Sequence, residues 1–124
     1  MANPNLLAAT TASGTTTYLT PSATTAVVLV PNAASSGQVF KINQIVCANV
    51  NGSSAVNATV AINNQAAGAG TNYPIISTIS VPASASVIAV DKTTAVYLME
   101  NSSIVVTSGT SSGITYTISY EVIS

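Results

Sequence analysis

Residues 113–124 read Gly113-Ile114-Thr115-Tyr116-Thr117-Ile118-Ser119-Tyr120-Glu121-Val122-Ile123-Ser124, with a large apolar residue at every second place from Ile114 to Val122. Side chains alternate across a strand, so this spacing puts Ile114, Tyr116, Ile118, Tyr120 and Val122 on one face. Thr115, Thr117, Ser119 and Glu121 fall on the other. The stretch is expected to be a β-strand with one face in a core.

Working back from it, the chain is strand after strand with no convincing helix. Apolar or β-branched runs occupy 15–20 (TTTYLT), 26–30 (AVVLV), 38–50 (QVFKINQIVCANV) and 55–63 (AVNATVAIN). Further runs fill 73–81 (YPIISTISV), 86–90 (SVIAV), 95–99 (AVYLM) and 103–108 (SIVVTS). Gly, Pro, Asn and Ser punctuate them at spacings of about 8–12 residues, the pattern of an antiparallel sandwich rather than of βαβ units. The expected fold class is all-β: an antiparallel β-sandwich, immunoglobulin-like or jelly-roll, of about eight strands.

Local signals refine this. Pro31 is expected to stop its strand, because proline cannot donate to a ladder. Phe40 and Ile42 share a parity that shifts at Ile45 and Cys47, which predicts a β-bulge near Asn43-Gln44. Asn51-Gly52 predicts a tight hairpin joining 38–50 to 55–63. The small-residue segment NQAAGAGTN (64–72) reads as a flexible connection. It is not read as a phosphate cradle, since no Lys and no helical pattern follow it. The strands form one domain, 15–124, preceded by an extended N-terminal arm, 1–14. The apolar pair Leu6 and Leu7 is the candidate interface within that arm, and the competing reading is a frayed terminus.

Charge is the outlier. Only Lys41, Lys92, Asp91, Glu100 and Glu121 are charged, 4% of residues against about 25% in ordinary domains. A net charge of −1 leaves no basic field for nucleic acid. Mean hydropathy is +0.52, yet no run of 18 apolar residues exists, so no membrane span is expected. The start MANPNLLAATTASG lacks a basic n-region and a long apolar h-region and is not read as a secretory signal. Sheet edges this poor in Lys and Glu lack the usual defence against pairing, so they are expected to be covered in a homo-oligomer or larger assembly.

Chemistry is excluded by parts. The chain has no His, hence no imidazole base, no zinc triad and no serine–histidine pair. Nothing brings two of the three carboxylates together across a cleft, and no Ser-x-x-Lys occurs. Cys47, in QIVCANV, reads as a small buried hydrophobe. Tyr97, Tyr116 and Tyr120 are assigned to the core or the inter-sheet space, and Tyr73, after the loop, to an exposed position. No catalytic, metal or cofactor-binding residue is assigned, and a non-enzyme is expected.

The second half, VPASASVIAVDKTTAVYLMENSSIVVTSGTSSGITYTISYEVI, resembles small virion proteins of tailed bacteriophages, particularly cyanobacterial and marine phages. There a "VPA-small-small" turn leads to a short strand, then an apolar pair, an acidic-polar turn (here Glu100-Asn101-Ser102-Ser103), an apolar strand, a Gly/Ser turn and a final alternating strand. KINQIVCANVNGSSAVNATVAIN is similar to their module of strand, N-G-S hairpin and strand, and the likeness covers roughly 25–123. The very low charge departs from many such proteins. The resemblance implies a sandwich serving as a capsid decoration (cement) or tail-associated subunit. Its partner would be the major capsid protein or another virion protein, and its location the virion, after synthesis in the host cytoplasm. The other function class kept open is a tail-fibre or knob domain that recognises a host-surface glycan or protein.

Overall fold

The computed structural model describes residues 4–124. Nine strands follow one another: β1 (Ala12–Leu19), β2 (Val27–Asn32), β3 (Val39–Asn49), β4 (Val56–Asn63), β5 (Asn72–Val81), β6 (Ser86–Val90), β7 (Val96–Leu98), β8 (Ser102–Ser108) and β9 (Ile114–Ile123). Two single 3-10 turns, Leu6–Ala8 and Lys92–Thr94, complete the described elements. The strands make two antiparallel sheets. One runs β1-β9-β3-β6 with β7 also on β3, and the other runs β2-β8-β4-β5.

The pairing has a simple logic. β1 pairs β9, β2 pairs β8, β3 pairs β6 and β7, and β4 pairs β5. The chain is thus one long hairpin ribbon whose tip is the 64–71 loop. Rolling that ribbon adds the contacts β9–β3 and β8–β4, which close the two sheets. This is jelly-roll topology, the second of the two sandwich types that the strand spacing left open. β6 and β7 share one position, pairing with the two ends of the long β3, so nine strands fill eight places.

The core lies between the sheets. Ile42, Ile45, Cys47, Val60, Val81, Leu98, Ile104, Val106, Ile114, Tyr116 and Ile118 are fully buried. β9 behaves as its alternation predicts at Ile114, Tyr116 and Ile118, while Tyr120 and Val122 are partly buried and pack on the same cluster. The Tyr120 ring tilts against Phe40 at 5.2 Å between centroids. The expected bulge is present, since the β3–β9 register skips Asn43 between Ile42 and Gln44.

Several local expectations differ from what is seen. β3 and β4 belong to different sheets, so Asn51-Gly52 is a corner between layers and not a hairpin turn. Both flanks of β3 are occupied, by β9 and by β6 with β7, which leaves no slot for β4. Asn51 shapes the corner as an Asx turn, its Oδ1 accepting from the Ser53 and Ser54 amides at 2.9 and 3.2 Å. Pro31 lies inside β2, opposite Ser103, tolerated because β2 is an edge strand. β1 begins at Ala12 rather than 15, because Ala12, Ser13 and Gly14 find partners on β9.

Polar stitching replaces charge at the corners. β2, β3 and β4 each end in a buried asparagine, Asn32, Asn49 and Asn63. Asn32 Nδ2 donates to the carbonyls of Gln38 and Leu98 at 3.0 and 3.1 Å, and its Oδ1 accepts from the Ser36 hydroxyl. Asn49 Nδ2 donates to the carbonyls of Ser54 and Val81, and its Oδ1 accepts from the Asn51 amide. Asn63 Oδ1 accepts from the amides of Gln65 and Gly70, both at 3.0 Å. The 64–71 loop, expected to be flexible, is therefore laced, with further bonds from Thr71 N–H to Asn64 and from the Ser103 hydroxyl to the Gln65 carbonyl.

Two mutational contrasts check this account by denaturant titration. Ile118→Ala should cost about 2–5 kcal/mol through the cavity it leaves, whereas Thr117→Ala on the opposite face should cost under about 1 kcal/mol. Asn63→Ala removes the buried acceptor of two partly buried loop hydrogen bonds and should cost about 1–3 kcal/mol. Asn64→Ala, at an exposed position, should cost clearly less. Equal costs within either pair would contradict the assignment.

Candidate functional site

The outer face of the five-stranded sheet carries the surface that stands out. Residues 4–11 precede β1 and fold over this face instead of running on as a continuous strand. Hydrogen bonds near both its ends hold the segment. The amides of Thr10 and Thr11 donate to the Ser124 carbonyl at 2.8 and 3.0 Å, prolonging the β1–β9 ladder. Asn5 caps the first 3-10 turn, its Oδ1 accepting from the Leu7 amide at 3.0 Å.

This turn sets the two candidate interface leucines differently. Leu6 is half-exposed and lies with Pro4, Tyr97 and Met99 over Val39, around an apolar hollow of about 240 Å³. Leu7 points away and is 98% exposed. Leu6, Tyr97 and Met99, which are 48%, 47% and 55% exposed, form an exposed apolar cluster of the kind that marks an interaction surface. A shallow groove of about 410 Å³ adjoins the hollow, lined by Thr10, Thr11, Lys41, Tyr97 and Glu121 among others. Tyr97, Lys41 and Glu121 stand in one row across β7, β3 and β9. The fold thus brings one ammonium and one carboxylate of a nearly uncharged chain to the rim of this apolar patch.

Tyr97 and Met99 were not legible as surface residues. Val96, Tyr97 and Leu98 are all apolar, so alternation alone could not choose a face, and pairing with β3 turned Leu98 inward and Tyr97 outward. Tyr97 therefore departs from its expected place in the core. Tyr116 is buried as expected, its hydroxyl donating to the Thr107 carbonyl. Tyr73 is 58% exposed, and Tyr18 on β1 is 74% exposed.

Groups capable of chemistry lie apart. Cys47 is fully buried, and desolvation pushes its thiol up to about 12. Burial also raises the Tyr116 phenol above its ordinary range. Asp91 caps the 3-10 turn at Lys92, and bonds from Thr93 first and Thr94 next hold its exposed carboxyl below the usual value. Among the described residues no three His, Cys, Asp or Glu side chains gather as a metal site would need. No described helix is long and apolar enough to cross a membrane.

Comparison with family models and with curated proteins finds no match.

The buried thiol and phenol give a pH signature. Below pH 9.0 the thiol is protonated in both folded and unfolded chains and contributes nothing to the slope. Between 9.0 and about 12 only the unfolded chain gives up that proton, so stability falls as pH rises. Tyr116 adds to the fall in the same direction. Unfolding free energy measured against pH should be level near neutrality and decline above about 9, and Cys47→Ala should flatten that decline. A decline that Cys47→Ala leaves unchanged would mean that the thiol is not the group responsible.

Proposed function

We propose that this protein is a non-enzymatic structural virion protein, a capsid decoration (cement) subunit that binds the outer surface of a phage head through its N-terminal segment. The observation that carries the reading is the apolar platform of Pro4, Leu6, Tyr97 and Met99, with the bare Leu7 next to it in the chain, displayed on a sandwich with five charged residues in 124. Exposed apolar clusters of this kind mark surfaces that bind a partner. The likeness in strand and turn pattern to small phage virion proteins supplies the class of particle. The jelly roll is compatible with it but is shared by viral capsid proteins, lectins and cupins, so the fold alone does not choose a function. A cupin-type enzyme would need histidine ligands, and the chain has none.

The partner in this reading is the major capsid protein or another virion protein, and the subunit works as a homo-oligomer. Each leucine buried on docking would contribute on the order of 1.5–3 kcal/mol before ordering costs. A second reading, a tail-fibre or knob domain, is favoured by the exposed Tyr73 ring beside the 64–71 loop, where it could stack on a sugar.

Electron microscopy of particles carrying the tagged protein should place label over the head lattice. Label at the tail would favour the second reading, and particles without label would contradict both. The double variant Leu6→Ser, Leu7→Ser should keep the stability of the sandwich and lose most of its occupancy on heads. Unchanged occupancy would remove the N-terminal segment from the interface.

A further inference from the structure

The free edge of β1 is where a second copy of this chain would dock, and we propose that two copies join there as an antiparallel β1–β1 pair centred on Thr16. The pairing would continue the five-stranded sheet across a two-fold axis. It gives the homo-oligomer a surface, and it stands whether or not the particle is a phage head.

Comparison of the edges selects β1. β2 contains Pro31 and a register shift between Val28 and Val30. β5 carries Pro74, two register shifts and Thr78 at φ 46. β6 and β7 are five and three residues long. Bulges, prolines and short length are the usual protections of an edge. β1 has none of them. Its eight residues pair with β9 without a shift, and ASGTTTYL holds neither proline nor charge.

Both flanks also turn away from the edge. The preceding segment leaves over Val39 and Tyr97, on β3 and β7. The following loop is tied toward the β8–β9 turn, where Ser112 N–H donates to the Pro21 carbonyl at 2.8 Å. The outward backbone groups of β1 therefore lie open to a strand, and a β-strand is the partner whose chemistry matches them.

The side chains say which strand. Gly14, Thr16 and Tyr18 lie on the outer face, opposite Glu121, Ser119 and Thr117. A two-fold through Thr16 sets Thr16 against Thr16, Thr15 against Thr17, and Gly14 against Tyr18. Threonine pairs are favourable across strands, and no like charges meet. Tyr18 is 74% exposed, and a Cβ built on Gly14 would meet nothing within 4 Å. Each ring would lie over the other copy's glycine and fill that open space, the pairing by which aromatic side chains cover glycines in sheets. The same strand thus supplies both the bare ring and the gap that accepts it.

Cross-linking of the purified full chain tests register and partner together. A residue on the axis faces its own copy at a Cα separation of about 4.5–5.5 Å, within disulfide reach. Cys47 is buried, so an introduced thiol is the accessible one. Thr16→Cys should give a covalent dimer on mild oxidation. Thr15→Cys, whose own copy lies about 7–8 Å away on the diagonal, should give little. By sedimentation, Tyr18→Ala should weaken association about tenfold through loss of two equivalent contacts. Thr16→Lys, which sets two ammonium groups face to face, should give a folded monomer by circular dichroism. A monomeric unaltered chain, equal cross-linking at positions 15 and 16, or association that survives Thr16→Lys would each overturn the proposal.

Discussion

The structure depends on β9 lying between β1 and β3. Every second residue of this strand enters the space between the sheets, and its two backbone edges are both satisfied, by residues 12–19 on one side and 39–49 on the other. These ladders join the most distant parts of the chain, and the remaining pairs fall within the loop that they close. Bringing β1 and β9 together sets β2 beside β8, whereas β4 and β5 meet locally across the 64–71 loop. The fold is for that reason rich in long-range contacts, and slow closure of long loops is the expected kinetic consequence.

A chain with so few charges must satisfy its buried polar backbone in another way. It uses amides. Asn32, Asn49 and Asn63 stand where strands leave the core, and each spends its carboxamide on groups of the turn that follows, Asn32 and Asn49 also on the carbonyls of the distant Leu98 and Val81. These three corners are held by neutral hydrogen bonds, which avoid the desolvation cost of a buried ion pair. The same economy leaves the outside weakly defended, since four of the five edge strands rely on proline, bulges or short length, and β1 on nothing. The apolar platform around Leu6 and Leu7 and the open edge of β1 lie on different parts of one sheet. In the proposed reading one surface would meet the particle and the other a second copy.

Much of this was legible in the residues. The alternation from Ile114 to Val122 located the strand at the centre, and the parity slip at Asn43 located the bulge, because both are consequences of a period of two. Pattern alone could not decide which strands pair. Asn51-Gly52 has the composition of a hairpin turn, yet β3 was already flanked on both sides, so tertiary pairing overrode the local preference. Nothing in the sequence pattern singles out the asparagines that end β2, β3 and β4, and only burial shows that they are corner staples. At the candidate site, Leu6 and Leu7 stood out as an apolar pair in a polar stretch. Tyr97 and Met99 did not, because in a run of apolar residues the outward face is chosen by the partner strand. The sequence carries no signal for Gly14 facing Tyr18 until strand register is known.

Hydrogen exchange of the backbone amides, followed residue by residue, tests most directly the claim that β9 organises the fold. If it does, amides of Ile114–Ile118 and of Ile45–Ala48 opposite them should be among the slowest, exchanging only on global unfolding with the full unfolding free energy. Amides on the edge strand β5, around Ile76–Ser80, should exchange earlier through local opening. Protection of β5 that exceeds protection of β9, or release of β9 while the rest stays protected, would contradict the account.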